Sequence, residues 1–303
     1  MTSRQARQSG RFAPSPTGTL HVGNLRTGLL AWLFARTAGA RFIVRMEDLD
    51  QGRVQTGAAE RQLRDLRAIG LDWDGEVVYQ SHRHDAYQAA LERLLAAGDL
   101  YECFCTRAEI RAAASAPHGP LPEGAYPGTC LRLTEAERRR KRAGGRPPAL
   151  RVRANAARVG FTDRVHGPQE GVVDDFVVRR NDGAPAYNLA VIVDDAWQGI
   201  GEVVRGDDLL ETTPRQLFLA ERLGLQPPAY AHVPLVLGPD GARLAKRHGA
   251  VTLDELDAGA AVRWMATTLG MDGATTAVEI RERFDPAALP RAPTRWTGNL
   301  KGV

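Results

Sequence analysis

Between Arg11 and Asn24 the chain reads Arg-Phe-Ala-Pro-Ser-Pro-Thr-Gly-Thr-Leu-His-Val-Gly-Asn. That order is a short strand, a tight turn rich in proline and glycine, and the entry to a helix. A helix N-terminus presents backbone N–H groups and positive partial charge, so a polyphosphate can sit there. Gly18 and Gly23 let the backbone come close to phosphate oxygens. The imidazole of His21 can donate a hydrogen bond to charge that develops on them. A second basic stretch, Arg243-Leu-Ala-Lys246-Arg, follows a strand expected over 232–237. The point charge of Lys246 suits a pyrophosphate leaving group. Taken alone, such a basic loop is more often a solvated turn.

The three cysteines, Cys103, Cys105 and Cys130, share one stretch rich in proline and glycine. An odd count argues against a disulfide framework. Three thiolates and a fourth ligand would complete a tetrahedral zinc site, structural in role because so loop-rich a segment has little core of its own. Three buried thiols acting as small hydrophobes are the alternative. The run Arg138–Arg142, with Arg146, Arg151 and Arg153, could meet RNA phosphates. A solvated helix face is the preferred reading.

The elements that must position these residues alternate. A strand ends at 13. A helix over 23–37 puts Leu25, Leu29, Leu30, Leu33 and Phe34 on one face. A strand over 41–46 delivers Glu47, a helix spans 56–69, and a strand 77–79. A helix over 84–99 precedes the cysteines, and a basic helix spans 135–142. Strands are expected at 149–152 and 172–179, then at 201–206, with a helix over 214–223. The tail from 253 reads as helical, with a proline-broken end at Pro290 and Pro293. Alternation of this kind predicts an α/β fold with a doubly wound parallel sheet, whose ligands bind beyond the carboxyl ends of the strands. The expected division is 10–100 and 191–255 as two halves of a nucleotide-binding domain, 101–190 as an insertion and 256–303 as a short helical end.

The 303 residues, 43% hydrophobic and 25% charged, are ordinary for a soluble globular protein. No apolar run approaches the roughly 20 residues that a membrane helix needs, and the polar N-terminus carries no secretory signal. A cytoplasmic monomer without membrane contact is the expectation. A net charge of +4 favours an acidic partner only weakly, the more so because heavy Ala, Arg and Gly usage points to a GC-rich genome.

The string FAPSPTG-x-LHVGN resembles the ATP signature of class I aminoacyl-tRNA synthetases, in the form of their glutamate-specific branch, and RLAKR resembles their second signature. The resemblance implies a Rossmann-like catalytic domain with an inserted, zinc-containing acceptor-type subdomain. By the same resemblance, His21, Asn24 and Lys246 serve catalysis, and Gly18, Gly23 and Arg243 join them in holding ATP with its Mg2+. Arg243 and Ala245 depart from the usual lysine and serine, which touches the closure of that loop. Glutamate would be held by Arg11, Ala13, Ser15, Glu47, Tyr187 and Arg205, with Glu47 facing the ammonium group and the arginines the carboxylates. Ser15 replaces the acidic residue of the glutamine-specific branch.

The cysteine spacing, with Tyr126 four residues before Cys130, is similar to a short paralogous branch of the glutamyl enzymes. There one Zn2+ per chain is held by Cys103, Cys105, Tyr126 and Cys130, with His118 as the other candidate for the fourth ligand. Only about fifty residues follow RLAKR, where a full glutamyl-tRNA synthetase carries an anticodon-binding domain. The branch so implied activates L-glutamate and attaches it to the queuosine base of tRNA(Asp). A truncated synthetase charging tRNA(Glu) and a non-catalytic RNA-binding paralogue are the alternatives.

Overall fold

The computed structural model describes residues 9–106, 108–110, 125–249 and 251–298, without the side chain of Lys246. Strand β1 (Ser9–Phe12) is buried along its whole length, and β2 (Arg41–Met46) along all but its first residue. Such runs suit a parallel sheet covered on both faces. Between them, α1 (Val22–Thr37) is buried almost all round, not only on its leucine face. It stops where Gly39 takes a left-handed φ of +66°. Helix α2 (Ala58–Ala68) leads to β3 (Val78–Tyr79), and α3 (His84–Ala96) to β4 (Leu100–Cys103).

The expected insertion divides between two sheets. Strands β4, β5 (Ala149–Val152) and β8 (Val177–Arg179) form a three-stranded antiparallel sheet. The hairpin of β6 (Ala157–Asp163) and β7 (Gly167–Val173) joins the main sheet instead, where β6 meets β10 through the pair Asp163↔Tyr230. The basic helix α4 (Glu135–Ala143) buries no residue, as a solvated face would.

After α5 (Tyr187–Trp197), β9 (Ile200–Gly206), α6 (Thr213–Arg222), β10 (Ala229–Val233) and β11 (Val236–Leu237) complete the alternation. Two expected strands are broken. Residues 232–237 split at Pro234, which has no N–H for the ladder. Residues 172–179 split where the Asp174 and Asp175 carboxylates turn to other partners. The main sheet runs β3-β2-β1-β9-β10-β6-β7, parallel except for the last pair. The chain leaves β1 toward β2 and β3, then crosses back to β9 and β10. The order therefore reverses between β1 and β9, and the crevice at their carboxyl ends is where such sheets bind ligands.

The tail holds two helices, α7 (Ala258–Thr268) and α8 (Ala277–Arg283), and a short strand, β12 (Thr294–Arg295), that pairs with β11. Trp264 and Trp296 pack edge to face at 5.0 Å, in the same hydrophobic core as α1.

Candidate active site

The turn after β1 is held from outside. Gln62 on α2 donates from one amide nitrogen to the carbonyls of Ser15 at 3.0 Å and Gly18 at 2.8 Å. Pro14 O accepts the N–H of Glu47, and Pro16 O that of Gln55. His21 caps α1. Its Nδ1 accepts from Asn24 N–H at 3.2 Å, while Asn24 Oδ1 accepts from His21 N–H at 3.3 Å. This reciprocal cap satisfies two donors, and no carboxylate occupies the first turn. A Cβ on Gly23 would stand 3.0 Å from the His21 ring and 3.3 Å from Val236. Only glycine leaves that ring its place.

The chain just beyond the second basic stretch docks onto the start of α1. Val22 N–H donates to Val251 O at 2.7 Å, and His21 bridges Thr252. Arg243 pairs with Asp208 from the turn after β9. His248 Nδ1 accepts from Ala245 N–H at 3.0 Å, and its ring covers Gly238. Lys246 begins a one-turn helix, Lys246–His248.

The proposed glutamate residues cluster around buried charge. Arg11 reaches Asp195 at 3.5 Å and Val204 O at 3.4 Å. Asp195 is also bonded by Arg45 at 2.8 Å, and Arg45 reaches Glu47 at 3.3 Å and Asp194 at 3.7 Å. Asp194 further accepts from Arg83, Tyr87 and Gln80. Burial opposes ionisation of Asp195, but Arg45 and Arg11 overcome it and hold its carboxyl below the usual value. At Glu47 burial wins, and its pKa rises despite Arg45 and Arg11. Burial and the charge of Glu47 also raise the Tyr187 hydroxyl.

Ser15, Glu47 and Tyr187 line one cleft of about 620 Å³ that runs to Cys103 and Cys105 by way of Arg151 and Arg180. Arg11 and Arg205 are not among its described walls; both are buried, at 4% and 5% exposure. Ala13 is half-buried between β1 and the turn. Sequence reasoning missed Arg45 and Gln62. An arginine inside the apolar run Phe42–Met46 was a readable signal for buried carboxylates, whereas Gln62 offered none.

The cysteines meet. Cys105 Sγ lies 3.5 Å from Cys130 Sγ, and all three sulfurs lie within 4.8 Å of one another. The Tyr126 hydroxyl is 3.5 Å from Cys103 Sγ and 3.6 Å from Cys105 Sγ. Tetrahedral zinc, with bonds of about 2.3 Å to sulfur and about 2.0 Å to oxygen, requires S–S edges of roughly 3.8 Å and S–O edges of roughly 3.5 Å. This donor set fits. His118 lies outside the described residues. The neighbouring Cys130 and Tyr126, together with Arg151, push the Cys103 thiol well below its ordinary value against the opposing effect of burial. The guanidinium of Arg151 stacks 3.7 Å from the Tyr126 ring.

Residues 9–277 match the family described as tRNA synthetases class I (E and Q), catalytic domain. Fold and crevice are those of that class. The chain is 60% identical over 296 residues to the glutamyl-Q tRNA(Asp) synthetase of Nocardia farcinica, covering 96% of this chain and 94% of that one. It is 51% identical to the protein of that name from Symbiobacterium thermophilum, with 94% and 95% covered. Among solved structures, the glutamate tRNA ligase of Elizabethkingia meningosepticum in complex with its amino acid superposes with a TM-score of 0.81 at 27% identity. That match covers 96% of this chain and 67% of the ligase. The chain belongs to the glutamyl-Q tRNA(Asp) synthetase family of class I synthetases. Among the described residues, no helix is long and apolar enough to cross a membrane.

Proposed function

We propose that this protein joins L-glutamate to ATP as glutamyl-adenylate, then transfers the glutamyl group to queuosine in the anticodon of tRNA(Asp). The observation that carries this reading is the near full-length match, at 60% identity, to a relative of that name. The α-carboxylate attacks the α-phosphate in line and pyrophosphate leaves. A hydroxyl of the modified base then attacks the activated carbonyl, releasing AMP.

Positioning and charge stabilisation supply the catalysis. The N-terminus of α1, with His21 and Asn24, takes the phosphates of ATP, which arrives with Mg2+. Lys246 neutralises the leaving pyrophosphate. The glutamate site is built from Arg11, Ser15, Glu47, Tyr187 and Arg205, with Ala13 beside the turn. Arg11 is already paired with Asp195, so its role is to set the local charge as much as to meet the substrate. Cys103, Cys105, Tyr126 and Cys130 would hold a zinc ion that braces the loop against β4. Bound zinc would compensate the negative charge of the deprotonated ligands.

The test is transfer of labelled glutamate to tRNA(Asp) with and without queuosine. Labelling that requires queuosine is expected. Equal labelling of both tRNAs, or labelling of tRNA(Glu) at its 3′ end instead, would refute the assignment.

A further inference from the structure

Arg205 closes β9 with most of its N–H groups already committed. Nε donates to His232 Nε2 at 3.0 Å, Nη1 to Gln216 Oε1 at 2.8 Å, and Nη2 to Thr213 Oγ1 at 2.8 Å. A weaker bond runs from Nη2 to Leu209 O at 3.4 Å. A guanidinium has only donors, so Nε2 of His232 must accept. The imidazole proton therefore sits on Nδ1, 2.7 Å from Asp163 Oδ2.

His232 is fully buried on β10, in register with Arg205 on β9. Asp163, at 1% exposure, ends β6 and also accepts from the backbone N–H groups of Val165, His166 and His232. A chain of three side chains thus leads from the β6–β7 hairpin to Arg205.

We infer that Asp163 and His232 are positioning residues that aim Arg205 at the glutamate carboxylate, so that the hairpin takes part in amino-acid binding. The inference rests on the assignment of Arg205 to glutamate. It also sets a pH dependence. A protonated His232 would turn an N–H against the guanidinium and lose the acceptor. The groups facing His232 are Asp163 on β6, His166 in the next turn, Arg205 on β9, Tyr230 on β10 and the neutral Thr213 on α6. Burial, with Arg205 and His166, outweighs Asp163 and keeps the imidazole below its ordinary value. Arg205 is therefore held at neutral pH and released as pH falls below the usual imidazole range.

The test is ATP–pyrophosphate exchange, with glutamate and ATP varied separately and pH stepped from about 5 to about 8, on the wild type, His232→Leu, His232→Gln and Arg205→Lys. His232→Leu should raise the glutamate KM about tenfold, with kcat and the ATP KM within about threefold. His232→Gln, whose Oε1 replaces Nε2 as acceptor, should recover most of that loss. The wild-type glutamate KM should climb toward acid pH, while that of His232→Gln stays flat. Equal defects in Leu and Gln, a joint rise of both KM values, or a pH profile that His232→Gln leaves unchanged would overturn the inference. The last readout stands even where His232→Leu does not fold. A glutamate KM raised by Arg205→Lys but not by His232→Leu would sink the chain alone. One untouched by Arg205→Lys would sink the assignment of Arg205 itself.

Discussion

Arg45 is fully buried and touches three carboxylates, those of Glu47, Asp194 and Asp195. Its charge persists against burial because these anions raise its pKa. Removing one partner of a buried ionic group strands the others, at a cost of about 3–5 kcal/mol. Arg45→Met should therefore destabilise the protein by roughly that amount in urea unfolding, and a loss under about 1 kcal/mol would contradict the network. Residue by residue, the sequence was legible where side-chain chemistry is local. His21, Asn24 and the three cysteines stand where their strings placed them. Arg45 could be marked by its place in an apolar strand, but its partners could not, nor could Gln62 or the Asp163–His232 pair, because the partners lie on other elements, 150 positions away for Arg45 and Asp195.

At the scale of elements, the segment after β11 owes its shape to one close approach. A Cβ on Gly238 would lie 2.5 Å from the His248 ring, far inside van der Waals contact. Gly238→Ala must displace that ring, which leaves Ala245 N–H without its acceptor and loosens the turn that carries Lys246. The exchange rate should fall, though by less than the roughly hundredfold or more that outright loss of a charge-stabilising group costs, with the glutamate KM little changed. An unaltered rate would show that the turn's order is irrelevant to pyrophosphate release. The helices that were expected before the tail were read nearly to their ends, since apolar periodicity and caps are local signals, but α5 was not foreseen. The strands expected over 172–179 and 232–237 each ran the end of one strand into the next and missed where the first begins, because pairing depends on neighbours that are remote in sequence.

For the whole molecule, the cysteine cluster forms a small hydrophobic cluster of its own with Tyr101, Phe104 and Tyr126, apart from the core around α1. Stripping metal with a chelator should therefore open the buried Tyr101, Phe104 and Tyr126 to a protease that cuts after aromatic residues. Glutamate activation should change by less than about threefold, whereas transfer to tRNA should fall further, since Cys103 and Cys105 also wall the shared cleft. Loss of both activities in parallel would mean that the knuckle supports the catalytic core itself.

The sequence alone determined the strand–turn–helix that caps α1 and the alternation that makes the sheet parallel. It also marked the three thiols as a group. Each of these follows from contacts a few residues apart or from side-chain type. The tertiary structure decided that the β6–β7 hairpin joins the catalytic sheet and that β12 returns to β11. It also decided that Arg205 leans on His232 and Asp163. Those choices turn on which buried donors and acceptors meet in space, and linear spacing carries no record of that.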